Sequence, residues 1–179
     1  MGRLRFLKWR LRDFTIAATG VAAIEFGVVG PVFLALVFGT FETGGLLVRS
    51  MTLDRALDKA VRVVRVKGGV TTISQAQFRD MVCDGLLMFS SGCKTNLTVE
   101  MTVVKSTAGF PSASAPCVSR VAPNPTVNYS SGSRSDMIYV RSCLLVDPML
   151  PLIASGLGFP RNASGGFHVI STSGFMNEP

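Results

Sequence analysis

The sequence predicts an α+β protein, in which a long N-terminal membrane-spanning helix precedes a small domain with a short helix and a three- or four-stranded sheet. Three observations lead to this class. One apolar run, residues 21–41, is long enough to cross a bilayer. A later stretch places apolar residues at helical spacing, and three short segments have the pattern or composition of strands. A chain of 179 residues has room for one modest domain and such an appendage.

The apolar run contains one charged residue, Glu25, and no charge from Phe26 to Phe41. At about 1.5 Å per helical residue, residues 21–41 span roughly 30 Å, which is the thickness of a bilayer core. No other run approaches the ~18 apolar residues that a second span needs, so we expect a single-pass protein and not a multi-pass transporter. Pro31 has no N–H to donate, and the Gly30–Pro31 pair is expected to kink or loosen the helix.

The net charge of +7 is concentrated before this run, because residues 1–20 carry five basic side chains and one acidic one. A basic cluster directly before an apolar span is typical of a membrane-topology signal, whereas nucleic-acid binding needs a basic patch in a folded module. More basic residues follow the span, but long domains translocate largely regardless of charge. All four cysteines also follow it, which indicates an oxidising compartment. We therefore expect a cytoplasmic N-terminus and a periplasmic C-terminal domain.

Two helices are predicted after the leader of residues 1–20. The first covers residues 21–67. It begins as the membrane span, continues as an amphipathic helix and ends before two glycines. Its apolar face is formed by Leu46, Leu53, Leu57, Ala60 and Val64. The second is shorter and begins after Ser74, a plausible N-cap, with a ragged apolar face formed by Ile73, Phe78, Met81, Val82 and Leu86.

The remainder, within a predicted α+β domain of residues 68–179, contains the strand candidates. In the first, Leu97, Val99, Met101 and Val103 alternate with polar residues, which predicts a half-buried strand. Residues 137–146 and 167–175 are two more candidates. Between the first two strands, residues 106–135 are rich in Pro, Ser, Gly and Asn, and we expect a long loop that is held at Cys117.

Glu25 is the residue that the span does not explain, because a carboxylate inside lipid costs a few kcal/mol and is usually functional or paired. The alternative is that Glu25 lies at the interface and reaches water. A basic leader, Gly20, four small or apolar residues, Glu25 and an apolar helix together resemble the site cut by prepilin peptidases. The resemblance implies cleavage between Gly20 and Val21, after which the new Val21 amine could pair with Glu25. A secretory signal fits less well, because its cleavage site follows the apolar core.

The wider pattern resembles the TadE-like family, the pseudopilins of the tight adherence (Tad) pilus. The resemblance covers residues 10–66, and the rest of the chain in outline. The matching features are Gly20, Glu25–Phe26, Pro31, Phe38–Gly39, Glu42 and Gly45.

This resemblance implies a minor pseudopilin needed for pilus biogenesis and surface adhesion, with no enzymatic activity and no cofactor. It implies Gly20, Val21, Glu25 and Phe26 as the processing site, and Glu25 and Pro31 as assembly residues. The implied partners are the prepilin peptidase, a sister pseudopilin, the inner-membrane platform protein, the major pilin and membrane lipid, with no nucleic acid.

Two other classes remain as alternatives. A membrane-anchored periplasmic enzyme is disfavoured, because the single histidine, His168, lies in a probable strand without an evident partner and is expected to be structural. The cysteines show no C-x-x-C spacing, so zinc or redox chemistry is not expected, and no Gly-rich phosphate loop is present. A pilus-tip adhesin or ligand-binding subunit would use the loop 106–135 as its binding surface.

Four cysteines allow three pairings. Proximity in the sequence, together with a loose likeness to the family, favours Cys83–Cys93 and Cys117–Cys143.

The second acidic residue of the span region, Glu42, is expected near the outer interface of the membrane, where a charge costs little free energy. Replacing Glu42 with Gln is therefore expected to be milder than replacing Glu25 with Leu.

The processing motif predicts a mature N-terminus at Val21 in cells that contain the peptidase. Intact mass and N-terminal sequencing of the native protein measure this directly. Gly20→Leu is expected to block maturation, because a bulky side chain at this position obstructs entry of the backbone into a tight protease site. Retention of residues 1–20 on the native protein would leave a plain signal anchor.

Overall fold

The computed structural model describes residues 20–67, 73–106, 110, 116–121, 125–151, 156 and 165–177. The chain divides into two compact units, Met1–Phe41 and Glu42–Pro179. The longer elements are helices α1 (Val21–Lys67) and α2 (Gln75–Gly85) and strands β1 (Leu97–Val104), β2 (Met137–Val146) and β3 (Phe167–Met176). A 3-10 turn (Leu87–Phe89) and the one-turn helix α3 (Cys93–Asn96) connect α2 to β1. These elements confirm the α+β class; the leader, residues 1–19, lies outside the described residues.

Helix α1 begins in the first unit and ends in the second. Among the described residues it is the one helix long and apolar enough to cross a membrane, judged by length and composition, and its apolar window is almost entirely exposed. The helix is unbroken through Pro31. It ends at Lys67, immediately before the glycine pair at which the sequence predicts its end.

The sheet has the order β1-β2-β3, and both pairings are antiparallel. Met101 lies opposite Val140, and Val140 lies opposite Ser173, which sets the register across all three strands. A single parallel bridge joins Met101 to Tyr129 on the outer side of β1. The prediction of three or four strands is thus met by three strands and one short bridge.

The core of the second unit lies between one face of this sheet and the two longer helices. The predicted stripe of α1 is buried at Leu53, Leu57, Ala60 and Val64, and the predicted face of α2 is buried at Phe78, Val82 and Leu86. They pack with Met101, Ile138, Val140 and other residues of the inner face of the sheet. Each buried large apolar side chain contributes about 1.5–3 kcal/mol, so this stripe is the main source of stability for the unit.

Local signals in the sequence also place α2. Ser74 forms a capping box with Gln77: its hydroxyl accepts from the Gln77 N–H, and the Gln77 side chain accepts from the Ser74 N–H. Tyr129 donates its hydroxyl to the Ile73 carbonyl at 3.1 Å, which ties the later part of the long loop to the start of α2. Burial raises the pKa of Tyr129 to about 12.

The expectation that β1 is half-buried is wrong. Thr98 and Glu100, on the side away from the core, are each only 8% exposed. This outer face is covered because Cys117 is joined to Cys143 of β2, and the neighbouring Val118 is buried. Glu100 lies opposite Arg141 in the register, with 3.7 Å between their charged groups, so the buried carboxylate faces a buried cation.

The structure contains the disulfides Cys83–Cys93 and Cys117–Cys143, and no described cysteine is free. The first joins α2 to α3. The second fixes the long loop, at Cys117, to β2, as the sequence predicts.

We predict that non-reducing peptide mapping of the native protein recovers these two pairs. Removal of the second pair by Cys117→Ser/Cys143→Ser is expected to lower the free energy of unfolding by about 2–4 kcal/mol, since the unfolded chain regains loop entropy. The matched variant Cys83→Ser/Cys93→Ser opens a shorter loop, of separation 10 against 26. The decrease in its free energy of unfolding should be smaller than that of the first variant by about 0.8 kcal/mol, from loop entropy alone. Four free thiols, or any crossed pair, would contradict the pairing.

Candidate functional site

The predicted processing residues lie at the start of α1. The helix begins at Val21, directly after Gly20. Gly20 is exposed, and a Cβ built on it would meet no other atom within 4 Å. Val21 is 54% exposed and Phe26 is 72% exposed. The Gly20–Val21 peptide bond therefore lies where α1 begins, and no other atom lies within 4 Å of a Cβ built on Gly20.

Val21 and Glu25 lie one helical turn apart on the same face of α1, separated by about 6 Å of axial rise. The Glu25 side chain is exposed, and no described residue forms a hydrogen bond or ion pair with its carboxylate. The ring of Phe26 lies over Gly30, since a Cβ at that glycine would be 3.3 Å from ring carbons. The structure thus brings Val21 and Glu25 together, and it places Pro31 further along the exposed helix.

The rest of the first unit presents an almost continuous apolar surface. Its exposed large side chains are Val21, Ile24, Phe26, Val28, Val29, Val32, Phe33, Leu34, Leu36, Phe38 and Phe41. A patch of this length has to be covered by lipid or by other proteins, because water contact with so many apolar groups is unfavourable. One carboxylate within this surface is an isolated charge in surroundings that disfavour it.

The expectation for Glu42 is wrong, because this residue is 1% exposed. Its Oε1 accepts the Met149 N–H at 3.0 Å, and its Oε2 accepts the Leu150 N–H at 2.9 Å. Both carboxylate oxygens are therefore used as acceptors within the second unit. A buried carboxylate that accepts hydrogen bonds from two backbone N–H groups holds the chain in place, which an exposed charge at a membrane interface does not do.

Glu42 is one of three residues on the same face of α1 that hold the segment Asp147–Leu150, which we name the clasp segment. Gly45 lies one turn later, and a Cβ there would be 3.0 Å from the Met149 methyl carbon. Arg49 follows after another turn and donates to the Asp147 carbonyl at 2.9 Å, while its guanidinium lies 5.5 Å from the centre of the Phe89 ring.

The clasp segment has a second attachment through Asp147. Arg120 binds this carboxylate with two hydrogen bonds, of 2.7 and 2.9 Å. The hydrogen bond from Arg120 lowers the pKa of Asp147 below its ordinary value. The pair therefore stabilises the fold above the ordinary pKa of Asp, and this contribution is lost as the pH falls through the lowered pKa.

The sequence analysis missed Arg49, Arg120 and Asp147. The spacing from Glu42 to Gly45 and Arg49 is a helical i, i+3, i+7 stripe, and it is the one signal that could have suggested a common face.

In the part of the chain that the structure describes, one group of neighbouring side chains is of the kinds that bind metal ions. The sulfurs of Cys117 and Cys143 and the ring of His168 lie within 4.8 Å of one another. The two sulfurs form a disulfide, so they offer no thiolate to an ion. The imidazole Nε2 of His168 lies 3.2 Å from the Val118 carbonyl, which is a structural contact.

Comparison with known families gives one match: the family model described as TadE-like protein matches residues 20–62. This part of the chain is therefore similar to the pseudopilins associated with Tad pilus systems, a structural and non-enzymatic family. The matched region includes the Gly20–Phe26 segment and the Glu42, Gly45 and Arg49 stripe. No curated protein and no solved structure matches the chain.

We predict that Glu42→Gln destabilises the second unit by about 1–3 kcal/mol, because the amide leaves one backbone donor without an acceptor. The Met149 and Leu150 amides should then exchange with solvent about tenfold faster or more, as measured by hydrogen exchange on the full chain. Asp54→Asn is the matched control, because Asp54 is an exposed acid on the same helix. Unchanged exchange at both amides in Glu42→Gln would show that the two hydrogen bonds to the Glu42 carboxylate contribute little to the stability of the second unit.

Proposed function

We propose that the chain is a minor pseudopilin of a Tad-type pilus assembly machine in the inner membrane. The single observation that carries this proposal is the start of α1: Gly20 and Glu25 open an exposed apolar helix inside the segment that matches the TadE-like family. In this proposal residues 1–20 are a cytoplasmic leader, residues 21–67 are the membrane and amphipathic helix, and residues 68–179 are a periplasmic domain.

Processing by a prepilin peptidase is supported by the position of Gly20. The residue has no side chain, it is exposed, and it immediately precedes the helix. A glycine leaves the backbone at the cleavage site without side-chain obstruction, which suits entry into a tight protease site. Cleavage gives Val21 a free amine at the N-terminus of α1, beside the Glu25 carboxylate.

Assembly would use this new amine. A carboxylate on an apolar helix surface needs a cation once water is removed, and the exposed side of α1 supplies none among the described residues. The Val21 amine of the same subunit is one partner. The Val21 amine of an adjacent subunit is a better one, because that pair would fix the axial register of two neighbouring helices. Removing Glu25 should then impair assembly and leave the fold intact.

The proposed orientation places the N-terminus in the cytoplasm and the second unit in the periplasm. The basic leader supports this by its sequence, and both disulfides lie in residues 83–143, after the apolar helix. The partners in this proposal are the prepilin peptidase, a sister pseudopilin, the platform protein, the major pilin and membrane lipid. The protein's role is structural, in pilus biogenesis and adhesion, and it is not an enzyme.

Glu25→Leu tests the assembly role. The variant should insert, be cleaved after Gly20 and keep both disulfides, since the Glu25 side chain is exposed and both disulfides lie after residue 82. It should nevertheless fail to co-purify with its partners and fail to restore pili. Val29→Leu is the matched control, because it adds apolar bulk one turn later on the same face, and it should support normal pili.

A cleaved Glu25→Leu protein that co-purifies with its partners and supports wild-type pili would refute the pairing. Glu25 would then be only a recognition mark for the peptidase or an interfacial charge. Glu42→Gln is unsuitable as a control, because the Glu42 side chain is buried and accepts two backbone hydrogen bonds in the second unit.

A further inference from the structure

The outer edge of β1 is only partly paired. Met101 uses its backbone at this edge: it donates its N–H to the Asn128 carbonyl at 3.0 Å, and its carbonyl accepts from Ser130 N–H at 2.9 Å. Because alternate residues of a strand direct their backbone groups to the same edge, Val99 also faces outward. Its carbonyl accepts from the Gln75 side-chain amide at 2.9 Å, so a side chain replaces the continuing strand. The parallel pairing stops at the bridge between Met101 and Tyr129.

A cavity of about 210 Å³ lies where this pairing stops. It is large enough for several water-sized groups, at about 30 Å³ each. Its lining includes Gln75 and Arg79 from α2, Thr98 and Val99 from β1, and the apolar side chains of Val118 and Val127.

Two buried donors of this lining have no hydrogen-bond partner among the residues that the structure describes. Thr98 is more than nine-tenths buried, and its Oγ1 makes no hydrogen bond; the Nε of Arg79 is also buried without one. Leaving a buried polar group unpaired is unfavourable, and more so for a charged group. A cavity beside these groups is therefore a place where a ligand with acceptor atoms is strongly favoured.

The charge around the cavity is positive. The lining residue Arg79 is half-buried. Two nearby acids form ion pairs with cations other than Arg79: Asp80 of α2 with Lys94 at 3.2 Å, and Glu100 of β1 with Arg141 at 3.7 Å. A guanidinium and a hydroxyl donate hydrogen bonds in the geometry that suits a planar carboxylate. One guanidinium balances one negative charge, whereas a phosphate carries close to two.

We infer that this cavity binds a carboxylate group, held by Arg79 and Thr98, with its aliphatic part against Val118 and Val127. The carboxylate can come from a small free acid or from an acidic side chain of a partner protein. This inference does not rest on the proposed function, because every residue that carries it belongs to the second unit and none belongs to the processing segment.

The test is a titration of the ¹⁵N-labelled full chain in detergent micelles with sodium acetate at constant ionic strength, using acetamide as the neutral control. We expect saturable shifts at the Arg79 Nε–H resonance and at the Thr98 and Val99 amides with acetate, and none with acetamide. A blocked Ala-Ala-Glu peptide amide forms the second arm. Binding tighter than that of acetate points to a protein side chain, and equal or weaker binding points to a small acid.

Matched variants separate binding from folding. Thr98→Val keeps the shape of the side chain and removes the hydroxyl, so acetate affinity should fall about fivefold or more. Arg79→Gln removes the cation and should abolish saturation, whereas Arg62→Gln, an exposed cation on α1, should leave it unchanged. If Arg79→Gln fails to fold, the Thr98→Val comparison decides. No saturable shift at Arg79 Nε–H, or unchanged affinity in Thr98→Val, would overturn the inference.

Discussion

The structure depends on the packing of the apolar stripe of α1 against the inner face of the sheet. Leu53, Leu57, Ala60 and Val64 have almost no exposed surface, and they form the helical side of a core whose other side is β1 and β2. Between Val21 and Phe41 the same helix is apolar apart from Glu25, Thr40 and its glycines, and its large apolar side chains are exposed. One continuous helix thus has a segment that packs on its own unit and a segment that needs a different environment. The part of α1 from Leu53 to Val64 therefore contributes to folding of the second unit, and the exposed part is the one for which we propose a role in assembly.

Glu42 lies at the start of the part of α1 that belongs to the second unit, and it holds the clasp segment by two backbone hydrogen bonds. Gly45 permits the close approach of Met149, and Arg49 holds the Asp147 carbonyl. Arg120 then connects the Asp147 carboxylate to the segment that carries the Cys117–Cys143 disulfide. A chain of short polar contacts therefore links α1 to the cover of the outer face of the sheet, and burial protects its first member from competition with water.

The outer face of β1 is unusually polar for a buried surface. Thr98, Glu100 and Thr102 follow one another on it, and each has a buried atom without a hydrogen-bond partner. Arg141 opposes Glu100, which reduces the cost of that charge, but no such partner exists for the Thr98 hydroxyl within the described residues. Buried polar groups are normally paired, so this row distinguishes the outer face from the ordinary core on the other side of the sheet.

Local patterns in the sequence were sufficient for the helices and strands of the described residues. The i, i+3, i+4 spacing from Leu53 to Val64 predicted the buried stripe, Ser74 predicted the start of α2, and the Gly20–Glu25 spacing predicted a motif at the beginning of α1. Each of these depends on residues within a few positions of one another. The environment of Glu42 was decided by Met149 and Leu150, which are 107 and 108 residues away. Likewise, the burial of Thr98 and Glu100 was decided by the segment that Cys117 fixes to Cys143. An alternating pattern specifies which strand face is apolar, but whether the polar face meets water depends on what the tertiary structure places over it.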